Sequence, residues 1–185
     1  AFGPGGLLAT VHERQVRIWD PSKFKAMTAD SPATEPPAGF VRVFDGKSLA
    51  GLEKRHGDEG TWTVARGAIV GQKVGEHEGW LQYGKDLADL DLRFEYRLMT
   101  PGADSGVSVR VKTDGGWPGH DGIEINLADE LNFGEMNNRP PHDHERNGTI
   151  VGMARPNWVG PKPQLGEWQP MRILVEGKMV TVELN

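Results

Sequence analysis

Ser105-Gly106-Val107-Ser108-Val109-Arg110 and Gly122-Ile123-Glu124-Ile125-Asn126-Leu127 alternate apolar and polar residues with the period of two that belongs to a β-strand. In the first stretch Val107, Val109 and Val111 share one face, while Ser108, Arg110 and Lys112 share the other. In the second, Ile123, Ile125 and Leu127 pack together and Glu124 and Asn126 point the opposite way. If the two strands are neighbours, an arginine, a glutamate, a serine and an asparagine converge on one sheet surface. Such a polar patch can grip a hydroxylated substrate. It also reads as a solvated face carrying an Arg–Glu cross-strand pair, worth about 0.2–1 kcal/mol. The two strands alone leave both readings open.

The rest of the chain repeats the strand pattern. Phe40-Val-Arg-Val-Phe44 runs into the turn pair Asp45-Gly46. Trp62 to Ala65 and Ala68 to Val70 flank Arg66-Gly67 as a hairpin. Leu92 to Leu98 alternates over seven residues, and Met171 to Glu176 returns through Gly177-Lys178 to Met179–Leu184. Helix is expected only weakly, over Lys85–Leu90 and as one turn within Ala128–Phe133. Twenty-five glycines, thirteen prolines and six tryptophans in 185 residues suit many turns and aromatic surfaces. The pattern is an all-β sandwich or barrel. With net charge −5 and 21 scattered Lys and Arg, nothing points to nucleic acid as a partner. No apolar run approaches the ~20 residues of a membrane span. The absence of cysteine excludes disulfides, thiol nucleophiles and zinc–thiolate sites.

Composition divides the chain. Residues 26–38 are small, polar and proline-rich, as a linker is. Before them, Leu7-Leu-Ala-Thr10 and Val16-Arg-Ile-Trp-Asp20 read as two short strands about a turn and resemble the closing half of a WD-type propeller blade. One blade cannot bury its own faces, so residues 1–25 are expected to be the tail of a covalently linked upstream propeller; an ordinary hairpin docked on the main domain is the alternative. Residues 39–185 form the main domain. The sequence stops at Asn185 right after a strand, with no closing loop or further partner strand, so the domain is expected to be incomplete at that end.

Within 39–185, Phe44-Asp-Gly-Lys-Ser-Leu49, Gly67-Ala-Ile-Val70, Gly79-Trp-Leu81, Leu92–Leu98, Asp104-Ser-Gly-Val-Ser-Val-Arg110, Gly122-Ile-Glu-Ile-Asn126, Asn147-Gly-Thr-Ile-Val-Gly152, Gly166-Glu-Trp168 and Val182-Glu-Leu-Asn185 occur in order. Together they resemble the 3-keto-disaccharide (3-keto-glycoside) hydrolase family of concanavalin A-like jelly rolls. Asp104 and Asn126 stand where that family usually carries Asn and Gln, which touches on substrate identity. The resemblance implies a jelly-roll β-sandwich, a carbohydrate partner and an exported, periplasmic or extracellular location.

Glucanases of similar shape place two carboxylates about 5 Å apart on one strand as Glu-x-Asp-x-(x)-Glu. Here the run is Glu124-x-Asn126-x-Ala128, which disfavours double displacement. The chemistry implied by the resemblance differs. A C3 ketone acidifies the C2 hydrogen, a base removes it, the C1 substituent leaves and water adds. The enolate oxygen then needs donors, positive charge or a metal. Candidate catalytic residues are Glu124, Arg110, His120 and Asp121; Ser108, Asn126, Asp104, Trp117 and Trp158 are candidate substrate contacts. His142, Asp143 and His144 are metal-competent in a row, and in an extended chain both imidazoles project to one side, so a divalent metal of unknown identity is a candidate cofactor. The same loop reads equally as a solvated polar segment, and His142 and His144 are further base candidates. Trp62, Trp80 and Trp168 are assigned to packing. The rival to an enzyme is a non-catalytic carbohydrate-binding module on the same face, and a purely structural module is a third reading.

Overall fold

The structure is a computed structural model and describes residues 6–11, 14–18, 36, 38–55, 61–74, 78–112, 121–157 and 162–184. Among these residues eleven strands follow in order: β1 (Gly6–Val11), β2 (Arg14–Ile18), β3 (Leu52–Arg55), β4 (Trp62–Ala65), β5 (Ala68–Gly71), β6 (Gly79–Tyr83), β7 (Leu90–Leu98), β8 (Asp104–Val111), β9 (Ile123–Ala128), β10 (Gln169–Glu176) and β11 (Met179–Leu184). A short helix, α1 (Phe133–Asn137), and a 3₁₀ turn over Asp143–Glu145 follow β9. The strands make a five-stranded sheet, β3-β6-β1-β8-β9, and a six-stranded sheet, β11-β10-β7-β2-β5-β4. The fold is the all-β jelly-roll sandwich expected.

Alternation decides which face each strand buries. Leu92, Phe94, Tyr96 and Leu98 of β7 and Met171, Ile173 and Val175 of β10 point inward from the six-stranded sheet. They meet Val107 and Val109 of β8 and Ile123, Ile125 and Leu127 of β9, forming one continuous core. Phe44, Trp62, Ile69 and Leu81 make a second cluster. Trp62 and Trp80 are buried, as the packing assignment requires, and the half-buried Trp168 lies under the Arg97 guanidinium, 4.7 Å from its ring centroid. On the opposite face of β7 and β10, Arg93 stands directly across from Arg172. Asp91 reconciles the two cations by accepting from both at 2.8–3.1 Å. Burial pushes its carboxyl up, but the bonds from Arg172 and Arg93 outweigh that and hold it below the usual carboxylate range.

Several local expectations hold and others do not. The β4–β5 hairpin turns on Arg66 and Gly67, both at positive φ (51° and 72°), which is what a two-residue type I′ turn requires. Asp45 closes its turn by accepting from the Lys47 and Ser48 amides. Phe40–Phe44, however, is not a strand. Its aromatics anchor separately, Phe44 in the second core cluster and Phe40 stacked 4.4 Å from the Arg93 guanidinium. Lys85–Leu90 is not helical: it bends and then enters β7, where Leu90 pairs with Val175 of β10, because tertiary pairing wins over a weak local propensity.

The two N-terminal stretches are strands, but they do not form a hairpin with each other. β1 pairs with β6 and β8 in one sheet, and β2 pairs with β5 and β7 in the other. Most of the proline-rich segment 26–38 lies outside the described residues, as does Asn185.

Candidate functional site

β8 and β9 are neighbours, as the opening strands require, with Ser108 opposite Glu124, Gly106 opposite Asn126 and Asp104 opposite Ala128. Residues paired across an antiparallel ladder project to the same side. Asp104, Gly106, Ser108, Glu124 and Asn126 therefore share one face, with Val107, Val109, Ile123 and Ile125 on the other; Val111, expected to share that apolar face, lies past a register shift in β8 and packs with Trp80 in a separate cluster instead. Glu124 does not stand upright on this face. It lies down over Gly106, so that a Cβ there would meet its Oε1, would come within 2.8 Å of its Cγ and 3.0 Å of its carboxyl carbon. The missing side chain at 106 is the berth for the Glu124 carboxyl.

That carboxyl is poised by its surroundings. Burial, then the negative charges of Asp104 and Glu78, push it up to about 7. Removing a carboxylate from water penalises its charged form, and like charges nearby add to the penalty. Glu124 is thus divided between acid and base near neutral pH, the condition in which one group takes up and returns a proton most effectively. Beside it, the Ser108 side chain is fully buried and its Oγ has no hydrogen-bond partner among the described residues. Asn126 is buried as well, while Asp121 is half-buried just ahead of β9.

Arg110 does not join this face, which corrects the expected Arg–Glu convergence. The register between β1 and β8 slips between Gly6–Val111 and Leu8–Ser108, a bulge on β8 with Arg110 at φ 59°. A bulge places an extra residue in one strand and re-aims its side chain. The Arg110 guanidinium instead donates to Asp89 at 3.0 Å and to the Gly177 carbonyl at 2.7 Å, and Asp89 also accepts from the Gly177 amide. It is a strut between the start of β7 and the β10–β11 turn. Of the other expected residues, His120, Trp117 and Trp158 lie outside the described residues.

The His142-Asp143-His144 loop is not extended but turns as a 3₁₀ segment. The two imidazoles do lie side by side, stacked with centroids 5.6 Å apart. Asp143 is engaged elsewhere, in ion pairs with Arg146 at 3.5 Å and Arg155 at 3.1 Å. Glu145 accepts from the His142 amide and forms a bidentate pair with Arg139, whose bond holds its carboxyl down to about 2. Among the described residues no group of three or more carboxylate or imidazole side chains is placed to hold a metal ion. This donor set does not fit a divalent metal, because its carboxylates are committed to guanidinium partners.

The segment after this loop holds the Glu124 strand in place. Val151 donates its amide to the Glu124 carbonyl, Asn126 donates to Thr149, and Gly148 donates to Asn126, all at 2.7–2.9 Å. Asn147 pins the segment to both sheets: its Oδ1 accepts from the Ala128 amide, and its side chain exchanges hydrogen bonds with the buried Tyr96 hydroxyl at 2.6 and 2.9 Å. Tyr96→Phe leaves the buried Asn147 amide without this partner. We expect it to cost about 1–3 kcal/mol, read as a lower urea midpoint; an unchanged midpoint would show that the pair is dispensable.

Two contributors escape a first reading of the sequence. Gly106 carried a signal, since glycine inside a strand pattern marks a close approach. Glu78, remote in sequence from Glu124, carried none.

The architecture and the poised carboxyl define a jelly-roll β-sandwich with an acid–base group on one sheet face. The model of the 3-keto-alpha-glucoside-1,2-lyase-like domain matches residues 39–185, and the chain belongs to that family. It is thereby a carbohydrate-active domain. Among solved structures, a candidate glycosyl hydrolase from Parabacteroides distasonis is similar with a TM-score of 0.64 and 22% identity, over 78% of this chain and 68% of that one. At that identity the likeness speaks for the fold. No curated protein matches the chain. Among the described residues no helix is long and apolar enough to cross a membrane.

Proposed function

We propose that this domain cleaves 3-keto-glycosides by elimination followed by hydration, with Glu124 as the base. The observation that carries the reading is the Glu124 carboxyl, laid over Gly106 and pushed up to about 7 by burial and by Asp104 and Glu78. Ionised Glu124 takes the proton from C2, the electron pair forms the C1–C2 double bond, and the C1–O bond breaks, the departing aglycone taking a proton from solvent that is restored when the water adding at C1 gives up one of its own. Water then adds at C1 and Glu124 returns its proton to C2, so the sum is hydrolysis. A raised pKa makes Glu124 a stronger base while leaving a large fraction ionised at neutral pH. Asn126, on the same face, is a neutral donor for the oxygen at C3; Arg110, tied to Asp89, is not available for it. Family membership supports the sugar and the elimination, since the family is described as 1,2-lyase-like.

The test is release of the aglycone from a chromogenic 3-keto-glucoside compared with the unoxidised glucoside. The keto substrate should be cleaved, with kcat/KM rising through an acid limb near pH 7 as Glu124 ionises. Binding of both sugars with cleavage of neither would favour the carbohydrate-binding reading instead.

A further inference from the structure

Resting on Glu124 as the base, we propose that Ser108 is its positioning residue: the buried Ser108 hydroxyl donates a hydrogen bond to the Glu124 carboxylate and holds it over Gly106 whenever the proton is gone. Ser108 stands directly opposite Glu124 on the shared face of β8 and β9, and Gly106, over which the carboxyl lies, is two residues along the same strand. Paired residues of an antiparallel ladder keep their Cβ atoms about 5 Å apart, and alternate residues of one strand are about 6.6 Å apart. The Glu124 side chain therefore starts beside Ser108 and ends over Gly106. Its carboxyl overhangs the gap between the two residues of β8, and the Cβ–Oγ bond of Ser108 enters that gap from the other side in one of its staggered rotamers.

Burial marks this hydroxyl as a group with a task. Ser108 is fully buried and its Oγ has no hydrogen-bond partner among the described residues, an arrangement that costs stability and calls for an explanation. A dry, idle donor beside a carboxyl is what a change of protonation can use. While Glu124 carries its proton, nothing requires the bond. Once the proton leaves, the carboxylate can only accept, and a hydrogen bond to a charged oxygen is roughly twice as strong as a neutral one. Of the described side chains that β8 and β9 place on this face, Ser108 and Asn126 are the two with an O–H or N–H to give. Asn126 stands across from Gly106 and serves the oxygen at C3, which leaves Ser108 for the base. The charged groups nearby give no such support. Asp104 and Glu78 oppose ionisation of Glu124, and Asp121 lies half-buried just ahead of β9. The Arg110 guanidinium is fastened to Asp89 and Gly177, and Arg55, three strands from β8, to Gln82 and Glu53.

The experiment follows the Glu124 carboxyl by carbon-13 NMR in protein labelled at the glutamate carboxyls, with Glu124→Gln identifying its signal. Ser108→Ala should move the titration midpoint up by about one pH unit, the scale of one hydrogen bond to a charged group. Ser108→Thr keeps the hydroxyl and should titrate close to wild type. In the aglycone-release assay, kcat/KM of Ser108→Ala should fall several-fold at pH 7 and recover by pH 9, because the base still forms, only at higher pH. A midpoint that does not rise in Ser108→Ala overturns the proposal, and so does an equal rise in a folded Ser108→Thr, since both would then report altered burial and not a lost donor. If the threonine methyl does not fit the buried position, the alanine midpoint decides alone. If wild type leaves the 3-keto-glucoside intact, the cleavage reading fails, and the midpoints still decide whether Ser108 holds the carboxylate.

Discussion

Glu124→Gln is expected to lower kcat on a 3-keto-glucoside by about 10²–10⁴-fold, the usual contribution of a positioned base, while stabilising the protein at and above neutral pH. The second effect follows from linkage. The folded-state pKa of Glu124 is raised from 4.5 to about 7, so the folded protein holds this proton more tightly than the unfolded chain does. Stability is then greatest below about 4.5 and falls as pH rises through about 7, where the native state must carry a buried charge. A shift of this size corresponds to roughly 3 kcal/mol at its full extent. Glutamine keeps the shape and removes the charge. Thermal melts at pH 5 and pH 8 should therefore show a wild-type loss that the variant lacks, alongside near-complete loss of turnover. A variant that keeps its activity, or that melts with the wild-type pH dependence, would remove Glu124 from the role given to it here. Few structural roles would predict an inactive protein that is more stable than its parent.

Gly106→Ala should also cost most of the activity, by displacement rather than by chemistry. The new Cβ would stand within 2.8 Å of the Glu124 Cγ and 3.0 Å of its carboxyl carbon, closer than such atoms pack. The backbone at Gly106 is ordinary strand, and the intruded atoms belong to a side chain that can swing. The fold should therefore tolerate the change within about 1–2 kcal/mol. The carboxyl cannot stay where it is, and a displacement of about 1 Å at a reacting group costs on the order of 100-fold. We expect kcat to fall by about that factor with the urea midpoint nearly preserved. The double variant Gly106→Ala/Glu124→Gln should be no slower than Glu124→Gln alone, because both changes remove the same group. Additive losses would mean that Gly106 acts through something other than Glu124.

These expectations separate what could be read from the chain and what could not. The alternation in Val107–Val109 and Ile123–Leu127 placed both strands, their inward faces and the polar surface that carries Glu124, because an unbroken period of two admits one division of faces; past the bulge the same alternation misplaced Val111, which packs with Trp80. Phe40–Phe44 had the same alternation without becoming a strand, since its two aromatics found separate anchors in Arg93 and the Trp62 cluster. The His142–His144 loop had metal-competent residues at workable spacing, but its carboxylates pair with arginines that lie several residues away or on another loop.

The sequence by itself determined the all-β sandwich, the core positions and the sheet face on which Glu124 and Asn126 lie, because these follow from local periodicity and burial. Only the tertiary structure decided that Arg110 leaves that face and that Glu124 becomes a base poised near pH 7. A bulge exists only in the register between two paired strands, and a carboxyl's proton affinity depends on its burial and on charges, here Asp104 and Glu78, brought to it from elsewhere in the chain.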